Sequence, residues 1–299
     1  MAQNVNQVSS DFPGQTQNQP GLQHEMNPHP INYDMVGDEG KLEPYKAAGK
    51  LKGKKAIVTG GDSGIGRSVA FLFAKEGVDG LTIFYHPREE KDALDTKKDI
   101  EGNNKCQVET VGLDIGDVEQ VKKAVQKHVD RFGTIDILVN NAGEQHIAEH
   151  FKDIPVEQMQ RTFQTNILGM MYTTKFSLPH MKKGSAIVNT TSVTAYRGSA
   201  KLVDYSSTKG AIVAFTRSLS QQLAGQIRVN AVAPGPIWTP LIPASFTKEQ
   251  VEQFGKSTAM GRAGQPVECA TAYVFLAGPD ASYFTGQVLH PNGGDIING

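Results

Sequence analysis

Residues 56 to 66 read Ala56-Ile57-Val58-Thr59-Gly60-Gly61-Asp62-Ser63-Gly64-Ile65-Gly66, an apolar run ending in glycines, after which Ile65, Val69, Leu72 and Phe73 recur at helical spacing. A short apolar run closed by glycine reads as a strand, and the periodicity behind it as a helix with one buried face. The unit is strand, turn, helix. Such a turn presents unpaired backbone N–H groups at a helix N-terminus, where the helix dipole favours a pyrophosphate, and its glycines allow the tight bend and close approach. The spacing is Gly-x-x-x-Gly-x-Gly, not the Gly-x-Gly-x-x-Gly of the general dinucleotide fingerprint. Read alone, the turn is also compatible with a structural corner.

Outward from this unit the same alternation continues. Leu81 to Tyr85 reads as a second strand, 89–101 as a helix, and Val108 to Leu113 as a third strand ending in Asp114. Val118, Val121, Val125 and Val129 mark another helix, and 135–139, 185–191, 227–233 and 286–290 read as further strands. Strands alternating with helices predict an α/β fold: a single-domain, Rossmann-type, doubly wound parallel sheet of about seven strands with helices on both faces. Ligands of such sheets bind at the carboxyl ends of the strands.

A chain of 299 residues with 38% hydrophobic content can bury one large core, so 51–299 is expected to be one domain. Residues 1–50, rich in Gln, Asn, Pro and Gly, read as an N-terminal extension. Two readings stay open there. One is a disordered leader; the other is an extended arm lying on the body or on a neighbouring subunit, for which Pro28, Pro30, Ile31, Tyr33, Met35, Leu42 and Tyr45 supply apolar and stiff positions. A net charge of −1 offers no basic field for nucleic acid or anionic lipid, so the expected partner is a small molecule. Two cysteines make no disulfide framework, and no apolar stretch approaches the ~20 residues of a membrane helix; a cytoplasmic location is expected. His146 and His150 bracket Glu149, but the spacing is not His-Glu-x-x-His and no third ligand is nominated. No metal is expected.

Asp204-Tyr205-Ser206-Ser207-Thr208-Lys209 places a phenol and an ammonium four residues apart, on one face of a helix. A cation there favours phenolate, so Tyr205 is expected to have a lowered pKa and to act as a general acid/base. With the glycine turn, Asn140-Asn141-Ala142-Gly143, Asn166 and Ser192 in this order, the chain resembles the short-chain dehydrogenase/reductase family, and within it the bacterial general-stress and glucose-dehydrogenase-like oxidoreductases that carry a leader. The resemblance spans about residues 51 to 299.

What the resemblance implies is reversible hydride transfer between a nicotinamide cofactor and a carbonyl or alcohol. Ser192, which stands thirteen residues before Tyr205 as is common in the family, would orient the substrate oxygen. Tyr205 would exchange the proton, Lys209 would hold the nicotinamide ribose, and Asn166 would support a water relay through a helix kink. Gly60, Asp62, Ser63, Gly64, Ile65 and Gly66 would form the cofactor loop. Asp114 would meet the adenine, Asn141 the adenosine side, and Pro234, Gly235, Ile237 and Thr239 the nicotinamide. After Tyr85 the strand ends in His86 and Arg88 with no carboxylate at the position of an NAD ribose ligand. NADP(H) is therefore favoured, with NAD(H) possible; Ser63 stands where many NADP-using members place a base. Gln145, His146, Thr194 and Trp238 are substrate-side candidates beside Ser192, and 236–262 is expected to form the lid.

A ketone or aldehyde reductase is the leading expectation, and a sugar or polyol dehydrogenase the alternative. A non-catalytic dinucleotide sensor would typically have lost Tyr205 or Lys209. Assembly as a homotetramer, or a dimer, is expected from the apolar helix after Lys209 and the C-terminal strand, surfaces that the family buries between subunits.

Overall fold

The computed structural model describes residues 11–37 and 40–297; what was expected of the leader at 1–10 lies outside these described residues. Within the leader, β1 (Asp34–Val36) and β2 (Leu42–Pro44) form an antiparallel ribbon. The body begins with β3 (Lys55–Thr59), α1 (Gly64–Lys75), β4 (Gly80–Tyr85), α2 (Glu90–Asn103), β5 (Gln107–Gly112), α3 (Val118–Phe132) and β6 (Ile137–Asn140). Next come α4 (Val156–Phe163), a π-helical segment Gln164–Gly169, and α5 (Met170–Ser177). The chain closes with β7 (Ala186–Thr190), α6 (Thr194–Arg197), α7 (Val203–Gln222), β8 (Arg228–Val232), α8 (Lys248–Glu252), α9 (Pro266–Ala277) and β9 (Val288–Leu289).

The strands β3 to β9 make one parallel sheet of seven, ordered β5-β4-β3-β6-β7-β8-β9. The order reverses between β3 and β6, and a crevice opens there beyond the strand ends. Helices cover both faces, so the central strands are apolar along their length and buried on both sides. One core layer joins Val58, Val69, Leu72, Phe73, Val139 and Val274; the opposite layer joins Ile57, Val121, Val125, Leu138 and Leu219. Asp117 accepts from the N–H groups of Glu119 and Gln120 and caps α3.

Two surfaces bear on what was expected of assembly and of the leader. Ile212, Val213 and Leu219 of α7 are buried in the chain's own core. The exposed large apolar side chains instead include Val156, Phe163, Leu168 and Met171, along the run from α4 to α5. The leader's described part lies on its own body. Ile31, Tyr33, Met35 and Tyr45 pack against the core, and Tyr33 donates to Asp99 while accepting from Arg67 of α1.

The first turn of α1 approaches β3 closely enough that side chains are excluded. A Cβ on Gly66 would stand 1.8 Å from the Gly60 carbonyl oxygen, which is backbone and cannot step aside. Gly66→Ala should therefore cost about 1–3 kcal/mol in overpacking, which in a protein of this size lowers the melting midpoint by roughly 2–12 °C. A melting curve checks it; an unchanged midpoint would contradict the packing described.

Candidate active site

β7 ends at Thr190, and Ser192 follows it at the lip of the crevice, 7% exposed. The backbone N–H and the hydroxyl of Thr194 each donate to Ser192 Oγ at 3.1 Å, which fixes the serine rotamer. Tyr205 sits in the first turn of α7, where its N–H donates to Asp204 Oδ1, and its phenol meets the Ser192 hydroxyl. One turn later Lys209 reaches the same point: its Nζ is 5.2 Å from the Tyr205 ring centroid and donates to the Thr190 carbonyl at 3.0 Å. Lys209 is 3% exposed, and among the described residues it has no carboxylate partner.

This burial overturns the expected direction of the tyrosine pKa. Loss of water pushes the Tyr205 phenol up to about 12, opposed by its hydrogen bond to Ser192. The same loss pulls Lys209 down to about 8. Both shifts follow from one cause, because removing solvent disfavours phenolate and ammonium alike. Tyr205 is thus held as a phenol at neutral pH, the form that donates a proton.

Asn166 lies in the π-helical segment, where the helix widens by one residue per turn, a departure common at functional positions. Its Oδ1 accepts from Glu144 N, and its Nδ2 donates to the Glu144 carbonyl and to Thr208 Oγ1. It therefore ties the loop after β6 to α7 one residue before Lys209. Where a helix kink was expected, the structure has this π segment.

A cleft of about 590 Å³ runs from the α1 turn to these groups. Gly60, Asp62, Ser63, Gly64 and Ile65 line one end, with Tyr85, His86 and Asp114. Asn141 lines its middle; its Nδ2 donates to the Thr59 and Gly60 carbonyls and its Oδ1 accepts from Thr190, bracing β3 against β7. Pro234, Gly235, Ile237 and Thr239 line it together with Ser192, Thr194, Tyr205, Lys209 and Gln145, and Thr239 abuts the glycine turn, its Cγ2 3.0 Å from where a Cβ on Gly64 would stand. Leu241, Ile242, Phe246 and Phe254, from the segment expected to be the lid, roof that region.

Asn166 is buried behind the lining, and four further candidates fall outside it. Gly66 shapes the turn from behind and does not face the cleft. Arg88 is exposed outside it, because Pro87 starts a single 3-10 turn that carries the side chain outward. His146 is outside the lining too, beside Glu144 at 3.6 Å. Trp238 is fully buried away from the cleft: it stacks on Phe12 of the leader at 4.0 Å between centroids and donates through Nε1 to the Pro28 carbonyl. In the extended segment 237–239, neighbours point to opposite sides, so lining by Ile237 and Thr239 turns Trp238 away.

Other residues enter that the sequence did not nominate. The 3-10 turn that sends Arg88 out brings Glu89 in, beside Asp62. Both Asp62 carboxylate oxygens are buried without a well-formed hydrogen bond; burial, with the Asp92 charge nearby, pushes Asp62 up to about 6, opposed by Ser63 and Glu89, and burial with the Asp62 charge pushes Glu89 up to about 10. Arg161 lines the cleft from α4 and donates to Asp114 at 2.6 Å. Burial alone would raise the Asp114 pKa, but Arg161 and the Gly116 N–H hold it below the usual carboxylate range. Neither pairing has a local sequence signal. Among the described residues no cluster of His, Cys, Asp and Glu could hold a metal ion, and no helix is long and apolar enough to cross a membrane.

The donors fit a dinucleotide. Gly60 and Gly64 adopt φ of +62° and +51°, which bends the turn around the crevice, and the N-terminus of α1 points its unpaired N–H groups into it. The unpartnered Asp62 oxygens stand where hydroxyl donors would satisfy them.

Comparison with known proteins agrees with this geometry. Residues 60–295 match the family model described as enoyl-(acyl carrier protein) reductase. The chain is 53% identical to the uncharacterized oxidoreductase YhdF of Bacillus subtilis over 98% of each chain. It is 52% identical to the glucose and ribitol dehydrogenase of Daucus carota over 96% of this chain and 98% of that one. With the NADPH-dependent aldehyde reductase 1 of Arabidopsis thaliana it shares 48% over 94% and 96%. Among solved structures, a short-chain dehydrogenase from Burkholderia cenocepacia in complex with NADP superposes with a TM-score of 0.76 at 29% identity, covering 82% of this chain and 98% of that one. With its parallel sheet of seven strands, the glycine turn on α1, and Ser192, Tyr205 and Lys209 gathered at the strand ends, this chain belongs to the short-chain dehydrogenase/reductase family of oxidoreductases.

Proposed function

We propose that the protein reduces a ketone or aldehyde, and reversibly oxidises the alcohol, with NADP(H) as the hydride carrier. The observation that carries this reading is the convergence of the Ser192 hydroxyl and the Tyr205 phenol beside buried Lys209. The cofactor, when bound, supplies or accepts the hydride. Ser192 and Tyr205 hold the carbonyl oxygen from two sides, and Tyr205 gives it a proton as negative charge develops. Lys209 Nζ, kept in place by the Thr190 carbonyl, is positioned to bind ribose hydroxyls and to stabilise the phenolate left behind. Asn166 orders the loop and helix around that amine and supports a proton route to solvent.

A sugar or polyol substrate is the second reading, favoured by Thr194, Arg197, Gln250 and Gln253 in the lining and by the name of the carrot relative. NADP(H) draws support from the relative and the solved structure whose names include it, and from His86 in the cleft. Asp62 and Glu89 there favour NAD(H) as a second carrier, because carboxyl groups accept ribose hydroxyls. Val156, Phe163, Leu168 and Met171 offer an apolar face for self-association as the proposed homotetramer, and the proposed location is cytoplasmic.

Tyr205→Phe should lower kcat about 10²–10⁴-fold, the usual contribution of a general acid, with cofactor affinity measured by titration close to wild type. Turnover retained at the wild-type rate would remove Tyr205 from the chemistry.

The specificity constant with NADPH should exceed that with NADH, and Glu89→Gln should raise that ratio further because it removes a carboxyl from the ribose end. Arg88→Ala should leave the ratio nearly unchanged, as Arg88 lies outside the cleft. Steady-state kinetics with both cofactors decides it; an equal or inverted ratio in the wild type would rule out the NADP(H) preference.

A further inference from the structure

The leader touches the cleft at both ends. At one, Gly64 N donates to Gln23 Oε1 at 2.8 Å, and Gln23 N donates to Asp92 of α2. At the other, the Gln19 amide nitrogen lies 2.8 Å from the Gln145 carbonyl, 3.0 Å from Ser245 Oγ and 3.2 Å from the Ala244 carbonyl. Gln17 N donates to the Pro243 carbonyl, and Pro20 itself lines the cleft. Gly21 lies so close to this segment that a Cβ would be 2.5 Å from the Pro240 carbonyl. One leader side chain thus joins the two walls that face each other across the substrate region: the loop after β6, which carries Gln145, and the 240–246 segment, which carries Leu241, Ile242 and Phe246.

Among the described residues these walls share little other hydrogen bonding. Of the hydrogen bonds between side chains and backbone across this gap, Ser245 Oγ to the Gln145 carbonyl is long, at 3.4 Å. The Gln19 Oε1 is buried without a partner, an unfavourable placement that is held because its Nε2 satisfies several acceptors at once. We propose that Gln19 is a positioning residue that seats the lid segment on the substrate, so that the leader sets substrate affinity in an enzyme whose chemistry lies wholly in the body. This rests on the carbonyl reductase reading above. The match to YhdF spans 98% of this chain, whereas the family model begins at residue 60, so the leader lies outside the residues that the family model matches.

The test is Gln19→Glu, nearly isosteric, which turns the one donor toward acceptors into another acceptor, with Gln19→Ala as the plain truncation and Gln19→Lys as the variant that restores a donor. Emission of Trp238, the one tryptophan of the chain, stacked on Phe12 of the leader, verifies that the leader stays docked in each. In Gln19→Glu, amide exchange of residues 241–247 should quicken about tenfold or more, and KM for the carbonyl should rise several-fold with kcat and cofactor affinity nearly unchanged. Gln19→Lys should return both toward wild type. Unchanged exchange in 241–247 would overturn the proposal, and so would quickened exchange with an unchanged KM. The exchange arm needs no substrate: if no carbonyl is turned over by the wild type, the reading of the function fails while the seating of the segment is still decided.

Discussion

A cation that has lost its water and gained no anion is the constraint around which this structure is arranged. Lys209 reaches a single carbonyl, that of Thr190, and the face of the Tyr205 ring. Burying an unpaired ammonium is costly, and neighbouring parts of the fold are placed to keep it there. β7 must stop at Thr190 for that carbonyl to point at the amine, and Thr191 Oγ1 donates to the Lys209 carbonyl to fasten α7 to the strand end. The π segment lets Asn166 reach both Glu144 and Thr208. Gly143 leaves the room: a Cβ there would stand 3.5 Å from Nζ and 3.3 Å from Asn166 Oδ1. In the proposed reaction this strained charge is an advantage, since the amine gains partners only when ribose hydroxyls and a developing phenolate arrive.

The opposite end of the cleft follows the same physics with the opposite sign. Asp62 and Glu89 are carboxyl groups without water: burial raises both above the usual carboxylate range, and the neighbouring Asp62 charge adds to it at Glu89, which keeps its proton at neutral pH. Gln23 of the leader occupies one donor at the start of α1, leaving the remaining donors of the turn for a ligand.

Much of the body could be read from residue type and order. Strands buried on both faces must be apolar, and helices covering them must repeat every three or four residues, so β3 to β8 and the helices between them stood out; β9 pairs over only two residues of the stretch expected there. The pairing of Tyr205 with Lys209 was legible for the same reason, because four-residue helical spacing is local, whereas Ser192 stood out only through the family resemblance, by its thirteen-residue distance from Tyr205. Direction of the Tyr205 pKa was not, since four-residue spacing fixes proximity but says nothing about how much water remains. Trp238 was misplaced because alternation along 237–239 decides which neighbours face the cleft. The leader's role was hidden more deeply: Gln19 and Gln23 act through side-chain amides that bond to backbone far along the chain, and such bonds leave no period in a Gln- and Pro-rich stretch.

The claim on which everything else depends is that the crevice passes a hydride between a nicotinamide and a carbonyl carbon while the protein supplies only the proton. Its most direct measurement is isotopic: reduced cofactor deuterated at the transferring position, incubated with the protein and a panel of aldehydes and ketones, and the product alcohols examined by mass spectrometry. The account predicts a single deuterium on the carbinol carbon of a reduced product, and none at that carbon when the label is instead in the solvent. Label entering that carbon from solvent, or no labelled alcohol from any carbonyl tried, would contradict it.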